Sequence, residues 1–518
     1  MVAPVPASTP TPVDMAVGTS QSFSATVTGT SNTAVTWQVN GTNAGSSTVG
    51  TIDSNGTYTA PAIIPSSVTS GPFQVTITAI SQADSSASGQ ALAKVHVTVS
   101  VTPATDTIGQ GANMQYIAVV TGAPAGAANQ GVGWSPSGGG SFDTNNPGIF
   151  VAGQLNSGST SLAVTVTATS TFDPQQSGSA TLTVLPADPL GTIDSASVKT
   201  LPANECPADP HGGLANGTCY SMNVACDGIA DATAYLKVNA PAATPVGTVL
   251  FATDGGGDAL YDTAWTYGYQ TVENVLAANY NTVQLSFGRP FDLTKPNGWL
   301  QGPGGVRRLA CRVATVASWV FDNPLKINLN AAGKNPYCAT GNSEGSSAVA
   351  YAVSEYGLSS MFPMIEPTSG PRMTRLDWGC ICSSQQGPAD TCSGSAPASM
   401  CYSTQDAAMI DAAYGTSAKC SAGASTDGNL FLSDSILYSP NTGIPLPLPN
   451  TTVNMLFGAT DLTNAVPQGE VWRSNVSPTT PTQGCANTAG HEIPNDLNGA
   501  QQIATDIIQY CKVPPAKH

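Results

Sequence analysis

Gly341-Asn342-Ser343-Glu344-Gly345 is the stretch whose reading decides the fold. It has the G-x-S-x-G spacing that sets a serine on a sharp turn between a strand and a helix. Residues 334–340 are short enough to end a strand. Ser346-Ser347-Ala348-Val349-Ala350-Tyr351-Ala352-Val353-Ser354-Glu355-Tyr356 is rich in Ala and predicts a helix. Such a turn is strained and lifts the hydroxyl clear of the sheet, and glycines on both flanks remove side chains that would clash. The plainer reading is an ordinary turn in a chain with 53 glycines. The strand–turn–helix context favours a reactive serine.

The chain has 518 residues, room for two to four domains. Only 9% are charged, far below the usual quarter, and 41% are hydrophobic. That composition suits short strands joined by small polar turns rather than disorder. A formal net charge of -16 argues against nucleic-acid or anionic-lipid partners. No apolar run reaches the roughly 18–20 residues a membrane helix needs. All twelve cysteines lie between Cys206 and Cys511. An even number without clean C-x-x-C pairs predicts up to six disulfides and an oxidising, extracellular location. Cys380-x-Cys382 is too tight for a zinc pair, so no metal is expected. Met1-Val2-Ala3-Pro4 reads as the start of a chain from which an export signal has been removed.

Residues 1–13 read as a Pro/Thr/Ser linker, and an internal repeat follows. Val35-Thr36-Trp37, Val75-Thr76-Ile77-Thr78-Ala79 and Val95-His96-Val97-Thr98-Val99 in the first copy answer to Val132-Gly133-Trp134, Val164-Thr165-Val166-Thr167-Ala168 and Ala180-Thr181-Leu182-Thr183-Val184 in the second. Apolar/Thr alternation predicts strands with one buried face, and about 90 residues per copy fits a small sandwich. Trp37 and Trp134 are expected in the cores. With Trp37 and Asn55-Gly56-Thr57-Tyr58-Thr59-Ala60-Pro61, residues 14–186 resemble bacterial immunoglobulin-like domains. The resemblance implies a spacer or surface module without catalytic activity.

Beyond Pro186-Ala187-Asp188-Pro189 the pattern alternates. Strands are expected at 234–238, 248–252, 282–286, 360–365 and 452–457, and helices over 258–280, 306–321 and 499–511. Alternating strands and helices predict a mostly parallel sheet covered on both faces. Expected domains are 14–100, 101–187 and 188–518.

A serine hydroxyl needs a base, and the base needs an acid to orient it. Four histidines are available. His96 lies in a repeat strand, His518 is the last residue, and His211 precedes the third domain's strands. His491 lies between a strand and the last helix and is the expected base. The expected acid is Asp461, after the strand at 452–457, with Asp434 and Asp427 as alternatives. Backbone N–H groups of Glu344 and of Gly255 or Gly256, in Thr253-Asp254-Gly255-Gly256-Gly257, are the expected donors to a developing oxyanion. Trp299 and Trp378 are candidate substrate contacts or core residues. Arg372, Arg375 and Asp377 read as a structural ion pair or a carboxylate anchor. A Cys485–Cys511 bridge is expected to tether the His491 loop, and residues 404–414 of the Cys-rich insertion to roof the site.

In order, Asp254-Gly255-Gly256-Gly257, Gly341-Asn342-Ser343-Glu344-Gly345, Asp461 and His491 make residues 190–515 resemble the α/β-hydrolase superfamily, and more narrowly its secreted bacterial esterases and polyester depolymerases. One departure stands out: Asp254 occupies the place of the His in HGGG-type loops. The fold class expected is multidomain, two all-β immunoglobulin-like sandwiches followed by an α/β-hydrolase domain with a Cys-rich insertion. The resemblance implies ester hydrolysis through a serine acyl-enzyme without a cofactor, on an ester that is small or polymer-linked, by a monomer. A peptidase or amidase on the same fold, and a non-catalytic adhesin, are the alternatives.

Overall fold

The computed structural model describes residues 11–512 apart from 145, 154, 157–158, 209–216, 323–334, 383–386, 389–391, 393–398, 416–417, 438–445, 449–450 and 479–480. His211 and His518 lie outside the described residues. The chain divides into two compact units, one of residues up to Thr107 with Met114–Val184, the other of Ile108–Asn113 with Leu185 onward.

The first unit is built of β-sheets. One has the order Val13–Ala16, Ser88–His96, Phe73–Ser81, Val35–Val39, Thr42–Asn43, and a second has the order Ser20–Ser22, Thr57–Thr59, Gly50–Ile52, Gly45–Ser46. Val39, Val75 and Ile77 from the first meet Ile52 and Tyr58 from the second in one core. Apolar positions alternate with Thr along these strands, so one face is buried and the other wet. Trp37 is buried in that core. Trp134 is only half-buried and stacks on Phe142 with ring centroids 5.2 Å apart.

The second unit is a ten-stranded sheet with helices on its faces. Its strands are β1 (Thr192–Ile193), β2 (Lys199–Thr200), β3 (Thr218–Ala225), β4 (Ala232–Asn239), β5 (Gly247–Ala252), β6 (Tyr280–Ser286), β7 (Tyr337–Asn342), β8 (Met364–Thr368), β9 (Thr452–Gly458) and β10 (Pro481–Ala486). They lie in the order β1-β3-β4-β6-β5-β7-β8-β9-β10, with β2 paired to β3. Strands β5 to β10 run parallel, and β3 and β4 extend the sheet antiparallel.

Six helices matter below: α1 (Gly268–Ala277), α2 (Cys311–Phe321), α3 (Glu344–Ser354), α4 (Thr404–Ala413), α5 (Ala465–Asn475) and α6 (Leu497–Tyr510). Strand β5 is buried at all six positions, as a central parallel strand must be. Val249 and Phe251 point to one side, against Val272 and Val275 of α1 and Ile503 and Ile507 of α6. Leu250 and Ala252 point to the other, against Val313 and Val316 of α2 and Val349 of α3. Each fully buried Val or Ile contributes about 1.5–3 kcal/mol.

Two expected helices are each interrupted. Residues 258–280 form Tyr261–Ala264 and α1, because Trp265 and Thr266 between them bond outward to Glu492 and Asn495. Residues 306–321 form Val306–Leu309 and α2, whose first residue Cys311 is bridged to Cys226. The strand expected at 360–365 begins later, at Met364.

The sheet order reverses at β5, whose neighbours β6 and β7 both follow it in sequence. Connections leave the carboxyl ends of β5 and β7 toward opposite faces, which opens a crevice between them. The loop Thr253-Asp254-Gly255-Gly256-Gly257 and Ser343 emerge at that crevice.

Candidate active site

Ser343 follows β7 directly and precedes α3. Its φ of 56° and ψ of -115° lie in the positive-φ region that non-glycine residues rarely adopt. The flanking glycines are required by close approach. A Cβ on Gly341 would stand 2.4 Å from the carbonyl carbon of Gly345, and one on Gly345 would stand 2.6 Å from the Thr253 oxygen. The motif therefore packs α3 against the end of β5 and holds the serine at the crevice.

His491 Nε2 lies 2.9 Å from Ser343 Oγ, and His491 Nδ1 lies 3.0 Å from Asp461 Oδ2. Asp461 sits in the turn after β9, where its Oδ1 also accepts from Thr463 N at 2.9 Å. Thr463 Oγ1 stands 3.2 Å from the same His491 nitrogen. Burial pushes the Asp461 carboxyl up, but its hydrogen bond to His491 and that ring's charge outweigh burial and leave it below the ordinary range. Burial pushes His491 down, yet the Asp461 hydrogen bond and charge prevail and hold the imidazole above its ordinary value.

The other histidine and acid candidates are engaged elsewhere. His96 bonds Asp173 and Asp14 within the first unit. Asp434 accepts from Val306 N and Tyr414 OH, and Asp427 pairs with Lys419.

Gly255 N points at the serine's neighbourhood, where it donates to Glu344 Oε2 at 3.1 Å. Gly256 is turned away. Its carbonyl accepts from Trp299 N at 2.7 Å, and it does not line the cavity. The backbone N–H of Glu344 is the first of α3 and has no intrahelical partner.

Trp299 and Trp378 do not line the cavity either. Trp299 is 1% exposed and packs edge-on against Tyr351 in the core. Trp378 is half-buried beneath the Arg375 guanidinium, 3.8 Å above its ring. Arg375 pairs with Asp377 at 2.6 Å, whereas Arg372 separates from that pair and reaches the serine. Its Nη1 stands 3.3 Å from Ser343 Oγ and 2.9 Å from Glu344 Oε1. Its Nη2 bonds Asp406 of α4, and its Nε donates to Asn464 at 3.0 Å.

Glu492 is a further residue that the sequence did not single out. Its Oε2 accepts from Trp265 Nε1 at 2.5 Å and from Asn342 Nδ2 at 3.4 Å, tying the His491 loop to β7. Asp254, where HGGG-type loops carry His, interacts with Glu492 in turn. Burial, then the charge and hydrogen bond of Glu492, push the Asp254 carboxyl up to about 9.

These groups line a cavity of about 910 Å³ with Asp258, Arg289, Tyr402, Met409 and Leu462. Among the described residues no cluster of His, Cys, Asp or Glu is arranged to hold a metal ion. Among the same residues no helix is long and apolar enough to cross a membrane.

All twelve cysteines pair, in six bridges. The expected Cys485–Cys511 bridge is not among them. Cys485, on β10, pairs with Cys392 of the insertion, and Cys511, after α6, pairs with Cys338 at the start of β7. The strand entering the His491 loop is thus tethered, but to a different partner. Proximity in sequence to the loop gave no information about which Cα atoms lie within bridging distance.

No family model matches the chain, and no curated protein matches it. Solved structures similar to it include a bacterial brefeldin A esterase homologous to human hormone-sensitive lipase, at 12% identity, TM-score 0.39, covering 59% of this chain and 78% of that one. Est1E from Butyrivibrio proteoclasticus matches at 10% identity and TM-score 0.34, covering 56% and 98%. An esterase from Pyrobaculum calidifontis matches at 12% and 0.36, covering 56% and 84%. Likenesses this distant carry no weight in the argument that follows, which rests on the geometry.

Proposed function

We propose that this chain is a serine hydrolase of carboxylic esters. The observation that carries the reading is the hydrogen-bonded run Ser343 Oγ, His491 Nε2, His491 Nδ1, Asp461 Oδ2, with steps of 2.9 and 3.0 Å on a serine at positive φ. In this reading His491 takes the serine proton as Oγ attacks the ester carbonyl. Asp461 fixes the ring tautomer and stabilises the imidazolium. The N–H groups of Glu344 and Gly255 receive the oxyanion. His491 then protonates the departing alcohol, and water releases the acid by the same steps in reverse order.

The finer parts of the reading are proposals with their own supports. Export to an oxidising compartment is supported by the six disulfides. The alternating strands of the first unit support an immunoglobulin-like spacer at 14–100 and 101–187, ahead of a catalytic domain at 188–518. A spacer of that kind suits an ester attached to a polymer.

The test is Ser343→Ala. Turnover of p-nitrophenyl esters falls by roughly 10⁴-fold or more, with the melting temperature retained, and a fluorophosphonate labels Ser343 in the parent only. Absence of label on folded parent protein would favour a non-catalytic binding module. Faster cleavage of a peptide than of an ester would favour a peptidase. Insoluble polyester films against soluble esters decide whether polymers are substrates.

A further inference from the structure

The serine's own neighbour fills the space a substrate carbonyl oxygen needs. Glu344 Oε2 lies 2.8 Å from Ser343 Oγ and 3.1 Å from Gly255 N. Donors of an oxyanion hole work at about 2.7–3.1 Å from the oxygen they stabilise. The Gly255 donor is therefore already satisfied by a side-chain carboxylate, which stands within hydrogen-bond reach of the serine hydroxyl as well. Glu344 Oε1 rests on Arg372 Nη1, and both residues are buried, at 3% and 6% exposure. Arg372 does not depend on Glu344 for its place, since Asp406 and Asn464 hold its other edges.

We propose that the Glu344 carboxylate is a built-in occupant of the carbonyl-oxygen seat, which substrate must displace, and that this side chain sets the enzyme's affinity for its ester. The inference rests on the serine-hydrolase reading above. Displacement moves only the side chain. The Glu344 backbone N–H stays where α3 begins, so the second donor survives. When a site is open for only a fraction of the time, the apparent binding constant weakens by that fraction while the rate of the bound complex does not. The seat has the chemistry of a carboxylate site, with a backbone N–H on one side and a guanidinium on the other. Once the side chain is removed, a free small carboxylate fits the same place.

The experiment compares the full chain with Glu344→Ala and Glu344→Gln, using p-nitrophenyl butyrate turnover and the rate of fluorophosphonate labelling at Ser343. Glu344→Ala is expected to lower KM and speed labelling by about tenfold, with kcat changed far less, as for a seat open about a tenth of the time. Glu344→Gln, which keeps the shape and loses the charge, falls between. Acetate restores the block, inhibiting Glu344→Ala competitively while leaving the parent unaffected. The proposal is overturned if a folded variant shows unchanged or raised KM, an unchanged labelling rate and no response to acetate. If Glu344→Ala does not fold, the Gln variant decides on the same criteria. A parent labelled at Ser343 alongside variants labelled equally fast sinks this inference alone. No label and no turnover in any form sinks the serine-hydrolase reading together with it.

Discussion

Asp461 and His491 illustrate how a single pair sets a pH profile. The carboxylate raises the imidazole above its ordinary pKa against the effect of burial. On the proposed reading His491 is the base and works only when unprotonated, so kcat/KM is expected to rise as pH climbs through a value above about 6.5. Asp461→Asn removes the hydrogen bond and the charge. The acid limb of the profile then moves to lower pH, while the maximum falls by roughly 10³–10⁴-fold because the ring loses its preferred tautomer. A profile whose acid limb stays in place would remove Asp461 from this role. At this scale the sequence was informative where a motif and a short inventory combined: one G-x-S-x-G in a strand–turn–helix context, four histidines, and an acid between them in chain order. Arg372 and Glu492 were not legible as neighbours of the serine. Their positions depend on loops from distant strands converging, and no spacing in the chain encodes that. The sequence left Trp299 open between a substrate contact and the core, where it lies, since an aromatic in a loop looks alike whether its ring meets a ligand or the core.

Between β8 and α6 the carboxyl groups of Glu366 and Asp506 interact away from the crevice. Burial, then the charge and hydrogen bond of Asp506, hold Glu366 well above its ordinary pKa, and burial raises Asp506 against hydrogen bonds that lower it. Both folded values exceed the unfolded ones. The stability they contribute is therefore complete below the unfolded carboxyl range, near pH 4, and is lost as pH rises through the folded values. Melting is expected at a higher temperature near pH 5 than near pH 8. Glu366→Gln should flatten that difference and gain about 2–4 °C at the alkaline end. A pH dependence identical in parent and variant would count against this coupling of the two carboxyl groups. The elements themselves were largely readable from periodicity, because parallel strands and their helices bury apolar residues at distinct intervals. The break within 258–280 was not, because Trp265 and Thr266 bond outward to Glu492 and Asn495 within an otherwise helical pattern, and nor was the division of 306–321 at Ala310.

For the whole molecule, the sequence boundary near residue 187 and the packing boundary differ. Ile108–Asn113 belongs with the second unit. Gly109 N donates to Asp188 at 2.6 Å, Gln110 O accepts from Arg307 at 3.0 Å, and Asn113 Nδ2 reaches Asp434 at 2.6 Å. A polypeptide of residues 185–518 lacks these three hydrogen bonds to buried charged groups, each worth about 1.5–3 kcal/mol. Its α/β transition should come several degrees below that of the full chain, at about 2–4 °C per kcal/mol. Equal midpoints by calorimetry would show the six residues to be dispensable. Composition could not reveal this, since the change from repeat to alternating pattern marks where the chain changes style, not which atoms it returns to.

The bridge between Cys338 and Cys511 closes a covalent ring 173 residues around, and Ser343, Asp461 and His491 all belong to it. A protease that nicks an exposed loop inside that ring severs the backbone without releasing either piece. The three side chains stay on one bonded framework, and the cut becomes visible on a gel only after a thiol is added.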